Sequence, residues 1–181
     1  PDTYTTSPTA GTMLLSGIML KMGLYGIIRF VMTAMPAAYH HLQPYMMVLA
    51  IVGIIYAAVI AIRQDDLKTL LAYSSISHMA LMAAGVFAFN LGAYEASVFQ
   101  MFNHGIIVVG LLYAVELIYK QTGTYEISKL GGVATKAPRL AVCFLIMLLA
   151  SVGLPLTNGF VGEFLLLKGV YEYNIWLGAI A

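Results

Sequence analysis

Apolar stretches of membrane-crossing length follow one another along nearly the whole chain, at 9–35, 42–62, 67–89, 95–119 and 139–171, with a further one starting at 175. An α-helix of about 20 apolar residues spans roughly 30 Å of hydrocarbon. Lipid offers no water to backbone groups, so these stretches must satisfy their own hydrogen bonds and fold as helices. The expected class is all-α, a polytopic transmembrane helix bundle. Composition agrees: 61% of residues are hydrophobic and 9% charged, against about 25% charged in a soluble domain. A net charge of +1 gives no electrostatic case for nucleic acid. The single cysteine, Cys143, excludes an internal disulfide and a cysteine cluster.

The stretch at 139–171 is unlike the others. Gly153-Leu154-Pro155-Leu156-Thr157-Asn158-Gly159 interrupts it, and a Pro/Asn/Gly cluster of this kind breaks a helix. The expected helix is discontinuous, broken at 155–159 by Pro155, Asn158 and Gly159. Broken helices survive at membrane depth where protein or a water-filled cavity satisfies the freed backbone, and transporters put ion sites there. The chain opens on a polar stretch and stops inside an apolar run, which reads as a piece of a longer membrane protein.

Loop charges alternate. Arg63 and Lys68 flank the second connection and Lys120, Lys129, Lys136 and Arg139 the fourth, whereas 36–44, 90–94 and 172–174 carry no Lys or Arg. The positive-inside rule then puts the second and fourth connections in the cytoplasm and lets the broken helix rise outward. His40 and His41 are expected in the short loop after the first span.

Against this background the titratable residues inside the spans stand out. Lys21 lies thirteen residues after Pro8 and fifteen before Pro36, about 20 Å from either end at about 1.5 Å per residue. An ammonium at the bilayer centre costs at least roughly 2.5–3.5 kcal/mol, so it is expected to face a partner or a water-filled path. His78 follows Ser74 and Ser75 by four and three residues, with Ser77 beside it; these hydroxyls and the imidazole read as lining for a water wire, or as interhelical hydrogen-bonders. Asn103 and His104 precede Gly105, which lets a neighbouring helix approach; here too relay and packing roles both fit. Glu163, just past the break, sits where a helix N-terminus favours an anion and where burial favours the neutral acid. Arg29 and Lys168 read as snorkelling side chains and Glu116–Lys120 as an i,i+4 pair.

Four segments carry a family resemblance. Ser7-Pro8-Thr9-Ala10-Gly11, Leu20-Lys21-Met22-Gly23-Leu24-Tyr25-Gly26, the run from Asp66-Leu67-Lys68-Thr69 to Ser77-His78-Met79, and Gly159-Phe160-Val161-Gly162-Glu163-Phe164 resemble the antiporter-like subunits of respiratory complex I, in the branch that includes bacterial subunit M and mitochondrial chain 4. The resemblance covers nearly the whole chain and implies part of an inverted-repeat fold, from about the eighth to the twelfth helix. It implies that Lys21 is the central lysine joining two half-channels, that His78 and His104 bridge onward, and that Glu163 is the terminal acid on the broken helix. The family's ion-pair glutamate and first broken-helix lysine would precede Pro1.

On this resemblance the activity is proton translocation within NADH:quinone oxidoreductase. No cofactor is expected in this chain; NADH, flavin, iron–sulfur clusters and quinone belong to other subunits. The implied partners are the other membrane subunits, the lipid bilayer and protons, and the implied location is a bacterial inner membrane rather than a mitochondrial one. Two rivals stand beside it. A Mrp-type cation/proton antiporter or membrane-bound hydrogenase subunit shares the fold and the lysine, while a purely structural membrane anchor would tolerate Lys21→Ala.

Overall fold

The structure, a computed structural model, describes residues 2–181. In chain order its helices are α1 (Asp2–Thr6), α2 (Thr9–Ala34), α3 (Pro36–Ile62), α4 (Leu67–Phe87), α5 (Leu91–Thr122), α6 (Val133–Lys136), α7 (Pro138–Ser151), α8 (Asn158–Tyr173) and α9 (Ile175–Ile180). Helices α2 to α5 are each long and apolar enough to cross a membrane. Among the described residues the β-structure is one isolated bridge between Asp66 and Glu126. The all-α class expected from the length of the apolar stretches is what forms.

Local chemistry sets the helix ends. Asp66 caps α4 by accepting from the Thr69 amide at 2.8 Å, and Asn90 caps α5 by accepting from Gly92 at 2.9 Å. Each gives an otherwise orphaned N–H a partner. Gly123, at φ 73°, ends α5 in a left-handed turn that a side chain would resist. The α2–α3 junction corrects an expectation: His40 and His41 lie inside α3 and not in a loop. Pro36 supplies a ready first helical residue, because its missing N–H would be unpaired there anyway, so α3 starts as soon as Met35 leaves helical geometry.

Contacts between chain ends and loops define two sides of the bundle. On one, the Leu67 amide donates to Tyr125 O at 3.0 Å and the Ile127 amide to Asp65 O at 2.8 Å. Lys68 Nζ donates to Ser7 O at 2.7 Å on the same side. On the other, Tyr39 Oη donates to Val86 O at 2.7 Å, Gln43 Nε2 to Phe87 O at 2.8 Å, and Asn90 Nδ2 to Glu172. The two basic connections therefore share one side, as the alternation of loop charges requires.

The discontinuous helix is present, displaced from its expected limits. α7 ends at Ser151 and α8 starts at Asn158, so the irregular backbone runs over 152–157. Pro155 lies in it, whereas Asn158 and Gly159 already belong to the first turn of α8. The reason is local: Gly153 at φ 66° and Leu156 at φ 80° turn the chain before and after the proline. Leu156 pays for that left-handed conformation with backbone strain of order 1–3 kcal/mol.

Packing between the helices uses small residues at the crossings. A Cβ on Gly105 would stand 2.9 Å from Gly17 O, and one on Gly17 2.8 Å from Val109 Cγ2. Backbones of α2 and α5 thus touch at Gly17–Gly105, the close approach that small residues permit in lipid. Met82 and Leu166, both fully buried, pack together between α4 and α8.

Candidate functional site

The close approach of α2 and α5 decides what Lys21 meets. His104 directly precedes Gly105, and Lys21 follows Gly17 by one turn, so the glycine contact brings ammonium and imidazole together. Lys21 is 9% exposed and His104 3%. The ammonium donates to His104 Nδ1 at 2.9 Å and to the carbonyl oxygen of Ser16. A π-helical turn over Leu15–Met19 widens α2 just before Lys21. Such turns are frequent at functional sites. Here the wider turn lets residues five apart share a face, and Ser16 and Lys21 are five apart.

Beyond His104 lies a second imidazole. The His104 ring lies 5.3 Å from that of His78, centre to centre, on α4. His78 Nδ1 lies 3.2 Å from Glu163 Oε1 on α8. Lys21, His104, His78 and Glu163 therefore form one row across four helices, α2, α5, α4 and α8. The other carboxylate oxygen points toward the break, where a Cβ on Gly153 would stand 2.6 Å from Glu163 Oε2. A carboxyl that takes a proton on Oε1 and then turns that O–H toward the break would connect the row to the irregular backbone of 152–157.

The serines divide. Ser75, fully buried, receives a 3.3 Å hydrogen bond from Ser16 and so lies beside the carbonyl that holds Lys21. Ser74 and Ser77 line a groove with His78 against Ala58, Ala61 and Ile62 of α3. Ser77 Oγ also donates to Ile54 O at 3.0 Å, an interhelical bond. Asn103 is engaged with the start of α8: Asn103 Nδ2 donates to Asn158 O at 3.0 Å and Asn158 Nδ2 to Asn103 Oδ1 at 3.3 Å. This reciprocal pair fastens the start of α8 to α5.

Two residues that sequence reasoning passed over belong to the picture. Gln100, 2% exposed, donates from Nε2 to Glu163 Oε1 at 3.2 Å. Its signal in the sequence was its spacing, one helical turn before His104 in an apolar run. Lys68, read as a loop charge, is 4% exposed, donates to Ser7 O at 2.7 Å and Thr5 O at 3.4 Å, and lies 5.7 Å from the centre of the Tyr125 ring. Nearby, Glu116 accepts from Thr9 and, at 3.1 Å, from Tyr125 Oη, with Lys120 at 3.9 Å. Burial pushes the Tyr125 phenol up from its ordinary range, keeping it a donor. Among the described residues no group of three or more His, Cys, Asp or Glu side chains could hold a metal.

A bundle of membrane-length helices with a discontinuous member and a lysine–histidine–carboxylate row through its middle defines an antiporter-like membrane protein. Residues 1–181 match the family described as NADH:quinone oxidoreductase/Mrp antiporter, TM, and the chain belongs to that family. It is 43% identical, over its full length, to NADH-quinone oxidoreductase subunit M of Rickettsia prowazekii, covering 37% of that relative. With NADH-ubiquinone oxidoreductase chain 4 of Marchantia polymorpha it shares 36% identity, again over all of this chain and 37% of the relative. The chain thus spans little more than a third of these proteins. Among solved structures, respiratory complex I from Thermus thermophilus with bound NADH superposes with a TM-score of 0.85 at 38% identity, over 88% of this chain and 34% of that one. The Mrp complex from Dietzia sp. DQ12-45-1b reaches a TM-score of 0.91 at 22% identity, over 98% and 33%, a likeness of fold alone.

Proposed function

We propose that this chain is the part of a proton-translocating subunit of NADH:quinone oxidoreductase that carries protons from a central lysine to an outward-facing carboxylate. The observation that carries the proposal is the row of neighbouring titratable groups Lys21–His104–His78–Glu163 within apolar helices. NADH, flavin, iron–sulfur clusters and quinone belong to other subunits, and electron transfer there drives the protons here. The protein sits in a bacterial inner membrane with the two basic connections in the cytoplasm, among the other membrane subunits of the complex. The 43% identity to a subunit M, against 22% to the Mrp complex, favours this reading over a Mrp-type antiporter.

The geometry suggests the order of steps. Lys21 gives its proton to His104 Nδ1, and the resulting imidazolium releases one from Nε2 toward His78. A ring separation of 5.3 Å is closed by a small reorientation or by one bridging water. His78 passes the proton to Glu163 Oε1, and rotation of the carboxyl carries that O–H round to the break, where it is released. Two charges about 4 Å apart repel by about 4 kcal/mol at an effective dielectric of about 20. Lys21 and His104 therefore do not hold protons on both nitrogens together for long, and a proton arriving at Lys21 pushes the previous one forward.

The test is Lys21→Met, read as proton uptake by membrane vesicles with a pH-sensitive dye during quinone reduction. Loss of pumping with the subunit still assembled is the expected result; normal pumping overturns the proposal.

A further inference from the structure

The Glu163 carboxylate has a second neighbour whose chemistry is used only in part. Gln100 Nε2 donates to Glu163 Oε1, the same oxygen that faces His78 Nδ1. Gln100 Oε1 is fully buried and has no hydrogen-bond partner. A buried amide oxygen left unpaired costs about 1–3 kcal/mol, so its retention beside a titratable group calls for an account. The backbone of α8 accommodates this amide closely: a Cβ on Gly162 would stand 2.8 Å from Gln100 Cδ and 3.0 Å from Gln100 Cβ.

We infer that Gln100 is a positioning residue that serves both protonation states of Glu163. An ionised carboxylate needs donors, and Gln100 Nε2 is one. A neutral carboxylic acid carries an O–H that needs an acceptor, and Gln100 Oε1 is an acceptor with free capacity. Rotation of the amide about its last side-chain bond exchanges the two atoms, so one side chain matches the carboxyl before and after it takes a proton. No charge is added to the row: Lys21, His104 and His78 remain its only other titratable members. This inference rests on Glu163 carrying a proton, as proposed above.

Infrared difference spectroscopy on the protein in its native membranes tests it, using the carboxylic acid C=O band that Glu163→Gln abolishes. Gln100→Leu should move that band to higher wavenumber, the direction for a carboxyl that has lost hydrogen bonding, and lower pumping about tenfold, the worth of one hydrogen bond to a charged group. Gly162→Ala should move it likewise, because the new methyl displaces the amide while Gln100 itself stays intact. If Gln100→Leu prevents assembly, Gln100→Met, unbranched and of similar length, gives the same readout. A band unmoved in the assembled Gln100 variant overturns the inference. Failure of the proton-carrier reading looks different: the Glu163 band would be absent from the wild-type difference spectrum, or Glu163→Gln would pump normally.

Discussion

Two polar networks run through the same helices and are built on opposite plans. At the basic-loop end, Lys68 has two carbonyl partners and the Tyr125 ring nearby, and Glu116 is held by Thr9, Tyr125 and Lys120. At mid-bundle, Lys21 leans on one carbonyl and one imidazole, and His104 Nε2 and Gln100 Oε1 have no partner. A network whose charged groups are each held by several partners fixes geometry, because every change breaks a bond. One with unused donors and acceptors can change its protonation state without breaking any. On this view the first network fastens the loops to the bundle and the second conducts.

The largest expected effect sets the two lysines against each other. Lys21→Met abolishes dye-detected pumping and leaves the assembled amount unchanged, while Lys21→Arg keeps partial function because arginine holds its charge but hardly releases a proton. Lys68→Met does the reverse: it strands the Ser7 and Thr5 carbonyls, at about 1–3 kcal/mol for each, and lowers the thermal midpoint and the amount of assembled protein. Pumping per assembled molecule stays near wild type. A Lys68→Met protein that assembles fully and fails to pump would abolish the distinction.

Next in size is the pair of carboxylates. Glu163→Gln preserves shape and removes the titratable proton, so pumping falls sharply, and Glu163→Asp recovers part of it. Glu116→Gln keeps acceptors for Thr9 and Tyr125 and costs about 1 kcal/mol in stability with little change in pumping. Equal loss of pumping in the two glutamine variants would mean that both networks carry protons.

The histidines sharpen the picture within the conducting row. His104→Ala removes the nitrogen bonded to Lys21, and His78→Ala removes the one facing Glu163. Each lowers pumping less than Lys21→Met, because water can occupy the space of one imidazole and bridge the remaining groups. Solvent isotope effects on pumping separate the two variants from loss of assembly: they rise in both if proton transfer has become limiting. Wild-type pumping in both variants would remove the histidines from the row.

Much of this is legible in the amino-acid sequence alone. Apolar length and loop charge fixed the helices and their alternation, because in lipid those two properties leave little choice. Lys21, His78, His104 and Glu163 were visible for the same reason, each being costly where it stands. Their mutual contact was not visible, since it depends on which helix faces which, and the close approach at Gly17–Gly105 shows only in three dimensions. Gln100 was missed because a neutral amide in a span draws no notice without its partner. Lys68 was misread because a lysine two residues past an aspartate cap looks like a loop charge until the segment before Pro8 folds over it. The limits of the break moved because the turns at Gly153 and Leu156, and not Pro155, decide where helical geometry stops.

The smallest expected effect concerns Asn103, the amide that belongs to neither network. Its side chain donates to the Asn158 main-chain carbonyl and accepts from the Asn158 side chain, holding the first turn of α8 against α5. Asn103→Leu keeps the volume and leaves the Asn158 carbonyl and amide short of partners, a loss of about 1–3 kcal/mol. If the break is a fixed exit for protons, that loss appears as a lower thermal midpoint with pumping reduced no more than about twofold. If instead the start of α8 must move as Glu163 takes and releases its proton, loosening it alters the rate of pumping by much more than stability alone would. Measuring initial pumping rates at matched amounts of assembled protein decides between a rigid and a moving break. A strong rate effect would assign Asn103 to the conducting region rather than to the scaffold.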